Sequence, residues 1–135
     1  METANMTEIN ALDIFTRETL DDIFPHTRCD SFFEALYGDS SEGAYDISLE
    51  FSRMEKETLV FEFHLKQRPG KCLSCSITYG LPEVFSRHPV IDLQGIAEKV
   101  NTLLGESASC KGWEMGVTKK INNHLYVVPL FFQLK

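Results

Sequence analysis

Between Tyr45 and Leu65 the chain alternates apolar and polar residues in two successive runs, a pattern that suits strands wet on one face only. Tyr45, Ile47, Leu49 and Phe51 point one way, while Asp46, Ser48, Glu50 and Ser52 point the other. After a short loop at 53–57, Leu59, Phe61, Phe63 and Leu65 repeat the alternation with Glu62, His64 and Lys66 outward. Two such runs predict an antiparallel hairpin. Arg68-Pro69-Gly70-Lys71 then puts Pro and Gly at the central positions of a type II turn. A third strand is expected to return from it, with Leu73, Cys75, Ile77 and Tyr79 inward and Cys72, Ser74, Ser76 and Thr78 outward.

Helical spacing flanks this sheet. Residues 1–12 are polar and without period, which reads as a flexible tail ahead of a single domain over 13–135. Thr16 suits a helix N-cap, with Phe15 and Leu20 placed as a hydrophobic staple and Pro25 as the stop. Asp30 is expected to cap a second short helix carrying Phe32, Phe33, Leu36 and Tyr37, ended by Gly38. Residues 39–43 have turn chemistry. Residues 80–91 read as an apolar loop broken by prolines, draped over the core. Asp92 then opens the longest apolar stripe, Leu93, Ile96, Ala97, Val100, Leu103 and Leu104, closed by Gly105.

Trp113, Met115 and Val117 alternate with polar or small residues, and Asn122-Asn123 separates them from a last strand over 125–134. That last strand is apolar on both faces and contains Pro129, which belongs at an edge or a bulge because it has no N–H to donate. An apolar edge needs cover. A homodimer through the C-terminal strand, or another protein partner, would supply it. The fold class read from these elements is α+β: a five-stranded, mostly antiparallel sheet with helices packed on one face, in the order α-α-β-β-β-α-β-β.

A length of 135 residues suits one hydrophobic core. No apolar run approaches the roughly 18 residues a membrane span needs, and the first residues lack a basic and apolar leader, so no membrane partner and a cytoplasmic location are expected. The net charge of -7 is uneven: residues 1–50 hold twelve acids against Arg17 and Arg28, whereas the remainder is slightly basic. An acidic surface disfavours nucleic acid, whose binding rests on neutralised phosphates.

Three constellations carry chemistry. Cys72-Leu73-Ser74-Cys75 has the spacing of half a zinc site, with His26 and Cys29 as further ligands, or of a redox pair. In a strand, residues three apart face opposite sides, and a redox pair belongs at a helix start, so ordinary cysteines are the plainer reading. Arg68 and Lys71 at the turn, with Arg87 and His88 ahead of the Asp92 helix, suit an anion or a small-molecule ligand; a solvated rim is the plainer reading. The outward sheet face, with Asp46, Glu50, Glu62, His64 and Cys72, offers a nucleophile and a base, although any half-exposed sheet displays such residues. No Gly-rich phosphate loop and no hydrolase or metalloprotease motif is present. The expected function is therefore a binding or interaction module without enzymatic activity and without a cofactor; the alternatives are a small-molecule or anion-binding protein or enzyme using Arg68, Lys71, Arg87 and His88, and a zinc or thiol protein using Cys72 and Cys75.

The runs GDSSEGAYDISLEF and RPGKCLSCSITYGLPEVFSRHPVID resemble a family of small bacterial proteins to which no activity is assigned. In element order the chain is also similar to type III secretion chaperones, small acidic α+β dimers that bind extended segments of a partner. That resemblance implies a chaperone-like homodimer. The chain departs from it in having two short helices at the front and no helix after the last strand.

Overall fold

Alternation at 45–65 becomes the hairpin it predicts. In a computed structural model, which describes residues 8–39, 41, 43–76, 81–105 and 109–134, β1 (Tyr45–Glu55) pairs antiparallel with β2 (Thr58–Gln67). Ile47 lies opposite Leu65, Leu49 opposite Phe63 and Phe51 opposite Phe61, so one face is a continuous apolar ladder. A bulge between Phe51 and Arg53 ends that regular register.

The C-terminal elements complete the sheet in an order the sequence did not suggest. β3 (Cys110–Met115) and β4 (Lys119–Asn122) both pair with β5 (Leu125–Leu134), and β5 pairs on its other side with β2. The result is the expected five-stranded antiparallel sheet, ordered β1-β2-β5-β3 with β4 beside β5. The C-terminal strand is therefore interior and not an edge. Pro129 is tolerated there because its carbonyl accepts from Gly116 N–H at 2.9 Å, on the side where β3 has ended and β4 has not begun. A strand residue directs its N and O to the same side, so the missing N–H of Pro129 faces that break and no ladder bond is lost. Gly116 is needed at this point: a Cβ there would lie 3.1 Å from the Phe131 ring and 3.2 Å from Pro129.

Six helices among the described residues lie along the chain: α1 (Glu8–Ile14), α2 (Arg17–Ile23), α3 (Thr27–Tyr37), α4 (Leu73–Ser76), α5 (Leu81–Arg87) and α6 (Leu93–Leu104). Thr16 caps α2 by accepting from Thr19 N–H, and Phe15 and Leu20 are both buried as the staple requires. Gly38, at φ 80°, ends α3. Three expectations are corrected here. The polar start is helical from Glu8, with Ala11 buried in the core, whereas residues 1–7 lie outside the described set. Asp30 sits within the first turn of α3 and does not cap it, because the helix already starts at Thr27. Part of the supposed 80–91 loop forms α5, whose Leu81 and Phe85 are buried.

The largest correction concerns the third strand. The Pro69-Gly70 turn forms, with Gly70 at φ 76° and Lys71 N–H donating to Arg68 O at 3.1 Å, yet Leu73–Ser76 after it is a helical turn. Residues 77–80 of that expected strand lie outside the described set. The place beside β2 that the strand would have taken is held by β5.

The helices pack on the face carrying Ile47, Leu49, Phe61, Phe63, Val128, Leu130 and Phe132. Aromatic rings join the layers: Phe15 meets Phe61 at 4.9 Å, Phe24 meets Phe63 at 5.3 Å, and Phe85 meets Phe63 at 5.4 Å. α6 starts as its sequence implies. Asp92 adopts a left-handed φ of 54° and its carboxylate accepts from Gly95 N–H at 3.1 Å.

A Cβ at Gly95 would run into that carboxylate, which explains a glycine in the first turn of a helix. Gly95→Ala is expected to destabilise the protein by about 1 kcal/mol through loss of the cap. In an Asp92→Ala background the same change should stabilise by about 0.5–1 kcal/mol, the ordinary helix-propensity gain. Urea titration of the four proteins checks this; a gain in both backgrounds would show that the cap does not require the glycine.

Candidate functional site

The structure distributes the sequence-selected residues over three places. At the first, Cys72 precedes α4 and Cys75 lies within it, and the two are joined as a disulfide with their Cα atoms 5.4 Å apart. The helical turn, in place of a pleated strand, brings the sulfurs to one side. Cys75 N–H donates to Cys72 Sγ at 3.2 Å. The argument that no helix accompanies this motif is thereby overturned. Cys72 also leaves the outward sheet face, since it is not part of the sheet. Leu73 is buried and its N–H donates to Gln67 Oε1 at 3.0 Å, while Tyr126 donates its hydroxyl to Ser74 Oγ at 3.1 Å.

The other zinc candidates do not join this pair. Cys29 lies on the buried side of α3, its thiol 3.5 Å from Tyr45 O, and exposed His26 stands at the head of α3. Among the described residues no group of three or more His, Cys, Asp or Glu is placed to hold a metal ion.

At the second place, Arg68 is enclosed. Its Nε donates to Asp46 at 2.9 Å, its Nη2 to Asp30 at 3.0 Å and its Nη1 to Gly43 O at 3.3 Å, and its guanidinium stacks on Phe33 at 5.3 Å. The residue that an anion would need first is thus turned inward, tying α3 to both strands of the hairpin. Lys71 is exposed and reinforces Asp39, which is held below the usual carboxylate range by the N–H and hydroxyl of Ser41 and by this lysine. His88 packs edge-on against Phe32 at 4.8 Å, and its Nδ1 accepts from Val90 N–H at 3.1 Å. Arg87 is exposed at the end of α5.

At the third place, each carboxylate of the β1–β2 outer face has a basic neighbour. Asp46 meets Arg68, Glu62 accepts from or faces His64 Nε2 at 3.0 Å, and Glu50 meets Arg17 at 2.6 Å. Glu50 and Glu62 lie directly opposite each other, an unfavourable pairing that Arg17 and His64 offset. Arg17 was not singled out in the sequence. It reaches from α2 to Glu50 and also donates to Leu49 O at 2.9 Å. Only its i,i+4 partner Asp21 is visible from local spacing.

What the three places leave is the side of the sheet that the described helices do not cover. Alternation along β5 puts Val127, Pro129 and Phe131 on the face away from the helices, beside Val60 of β2. Val60 at 1% exposure, Val127 at 3% and Pro129 are buried within the chain, although neither valine belongs to the cluster that the helices cover, so this strip reaches solvent at half-buried Phe131. Glu62, His64 and Lys66 border this strip on one side, Glu114 and Lys119 on the other. Half-buried Phe131 opens into a cleft of about 570 Å³ shared with Glu55, Lys56, Thr58, Glu114 and Gln133. A second groove, about 340 Å³, runs between α2 and α6 and is lined by Ile23, Leu103, Thr19, Asp22, Lys99 and Thr102.

No family model, no curated protein and no solved structure matches the chain, so neither resemblance read from the sequence adds a residue to these places. No helix among the described residues is long and apolar enough to cross a membrane.

Burial separates the remaining thiols from the disulfide pair. It raises Cys29 and Cys110 from an ordinary 9.0 to about 11, and it raises Tyr45 further still. In the unfolded chain the two thiols ionise earlier, so the stability they contribute is full below pH 9 and is lost as pH rises through about 11. Chemical denaturation between pH 8 and about 11 should show this decline. Cys29→Ala and Cys110→Ala should each flatten it, and an unchanged slope in both would assign the decline to other groups.

Proposed function

We propose that the protein is a binding module without enzymatic activity, which docks a second copy of itself across the helix-free face of the sheet. The observation that carries this reading is the two-sided apolarity of β5: the helices cover one side, and Val127, Pro129 and Phe131 line the other, where Phe131 stays half-exposed above the buried Val127 and Pro129. A central strand with one solvated face ordinarily alternates apolar with polar residues. β2 does so through Glu62, His64 and Lys66, and β5 does not.

The rim favours a symmetric partner. Glu62 and Glu114 lie toward the Phe131 end of the strip and Lys66 and Lys119 toward its Val127 end, so two copies laid head to tail about a two-fold axis can set unlike charges against each other. An apolar centre within a polar rim is the ordinary anatomy of such a surface. The edges of the sheet are less suited. Arg17 occupies a backbone carbonyl of β1, and the opposite edge is broken between β3 and β4 and bears Lys111, Lys119 and Lys120.

Light scattering coupled to size separation, at about 100 μM protein, is expected to give the mass of a dimer. Phe131→Glu should shift that mass to a monomer while the far-ultraviolet circular dichroism is kept, because Phe131 lies outside the main core. A wild-type monomer at this concentration would remove the proposal.

A further inference from the structure

The Cys72–Cys75 bond is poorly explained as a staple. A disulfide closing so short a ring removes far less freedom from the unfolded chain than one spanning a long loop. The segment is moreover held without it, by the buried Leu73 side chain, by the Leu73 N–H bond to Gln67 and by the Tyr126 bond to Ser74. Both cysteines are exposed. What the bond adds is chemical: an accessible pair of sulfurs that can take up and give back two electrons.

The surroundings distinguish the two sulfurs. Cys75 N–H is aimed at Cys72 Sγ. A backbone donor so placed favours thiolate over thiol at Cys72 once the bond is opened. Cys29 and Cys110 are withdrawn from solvent to differing degrees, so neither is a comparable partner in surface exchange.

We infer that Cys72 and Cys75 form a thiol–disulfide exchange site whose substrates are thiol/disulfide couples. In the reduced chain the Cys72 thiolate attacks one sulfur of a substrate disulfide. The substrate S–S bond breaks, its second sulfur leaves as a thiolate and takes a proton from water, and a mixed disulfide joins Cys72 to the first. Cys75 then gives its proton to water and attacks Cys72 Sγ, expelling the remaining substrate thiolate, which is protonated in turn. Two electrons have passed from the chain to the substrate, while of the two protons on the product thiols one balances that released by Cys75 and the other is drawn from water, and a dithiol substrate drives the same steps backwards. The site stands independently of the dimer proposed above, because α4 is no part of the sheet face used there.

The test equilibrates the full chain in glutathione mixtures running from wholly oxidised to wholly reduced, followed by acid quenching, alkylation and mass measurement. Two thiols are expected to appear and disappear together across the series, with circular dichroism unchanged. Cys75→Ser treated with oxidised glutathione should acquire one glutathione, mapped to Cys72, at least about tenfold faster than Cys72→Ser acquires one on Cys75. Reduction of insulin by the reduced chain supplies a second arm: turnover there identifies a protein disulfide as substrate, and exchange with glutathione alone identifies a small thiol. A pair that keeps its bond in reduced glutathione, or stays dithiol in oxidised glutathione, overturns the inference. So does a chain that unfolds on reduction, since the bond is then a staple.

Discussion

The pairing of β5 with β2 is the constraint on which the rest of the structure depends. It joins positions as distant as Thr58 and Gln133, and by doing so it turns a local hairpin into a sheet wide enough for the helical layer to rest on. Phe61, between Phe51 and Leu130, touches the rings of Phe15, Phe51 and Phe132. Each such ring, when fully buried, is worth about 1.5–3 kcal/mol of transfer free energy, and that gain exists only after the long-range closure has been made. β3 and β4 then add to a strand already fixed on its other side.

Local signals in the sequence were read well because local physics decides them. Thr16, Gly38, Gly70, Asp92 and Gly105 lie where the caps and turns demand them, and the β1–β2 ladder follows from alternation alone. The segment from Leu73 misled for a definable reason. Leu73, Cys75, Ile77 and Tyr79 alternate like a strand, but alternation says only that a segment fits beside a sheet, not that a neighbouring position is vacant. β5 takes that position with a ten-residue strand rich in valine and aromatic residues. The displaced segment buries Leu73 and turns helical.

Pro129 misled in the same way. A proline inside a strand ordinarily marks an edge, and the inference holds only if every neighbour is continuous. Here the neighbour is split, and Gly116 lets the split close tightly beneath the Pro129 and Phe131 rings. An interrupted neighbour is a property of two segments taken together, so neither sequence shows it alone. The setting of Arg68 was hidden from the sequence for a related cause. Arg68 looks free beside its turn, and only the tertiary fold brings Asp30 from α3 and Asp46 from β1 to its guanidinium.

The same displacement accounts for where reactive sulfur can be carried without risk to the fold. Had the segment from Leu73 been a strand, Cys75 would have entered the core beside β2, and opening or closing a bond there would have disturbed packing directly. As a helical turn hung from Leu73, Gln67 and Tyr126, it leaves the sheet complete without it: β2 has β1 and β5 as neighbours, and β5 has β2 with β3 and β4. Cys29 and Cys110, by contrast, belong to or pack against the cluster itself, and burial holds them protonated. The chain thus divides its four cysteines by element, two as small apolar groups of the core and two on a segment whose chemistry is separate from it.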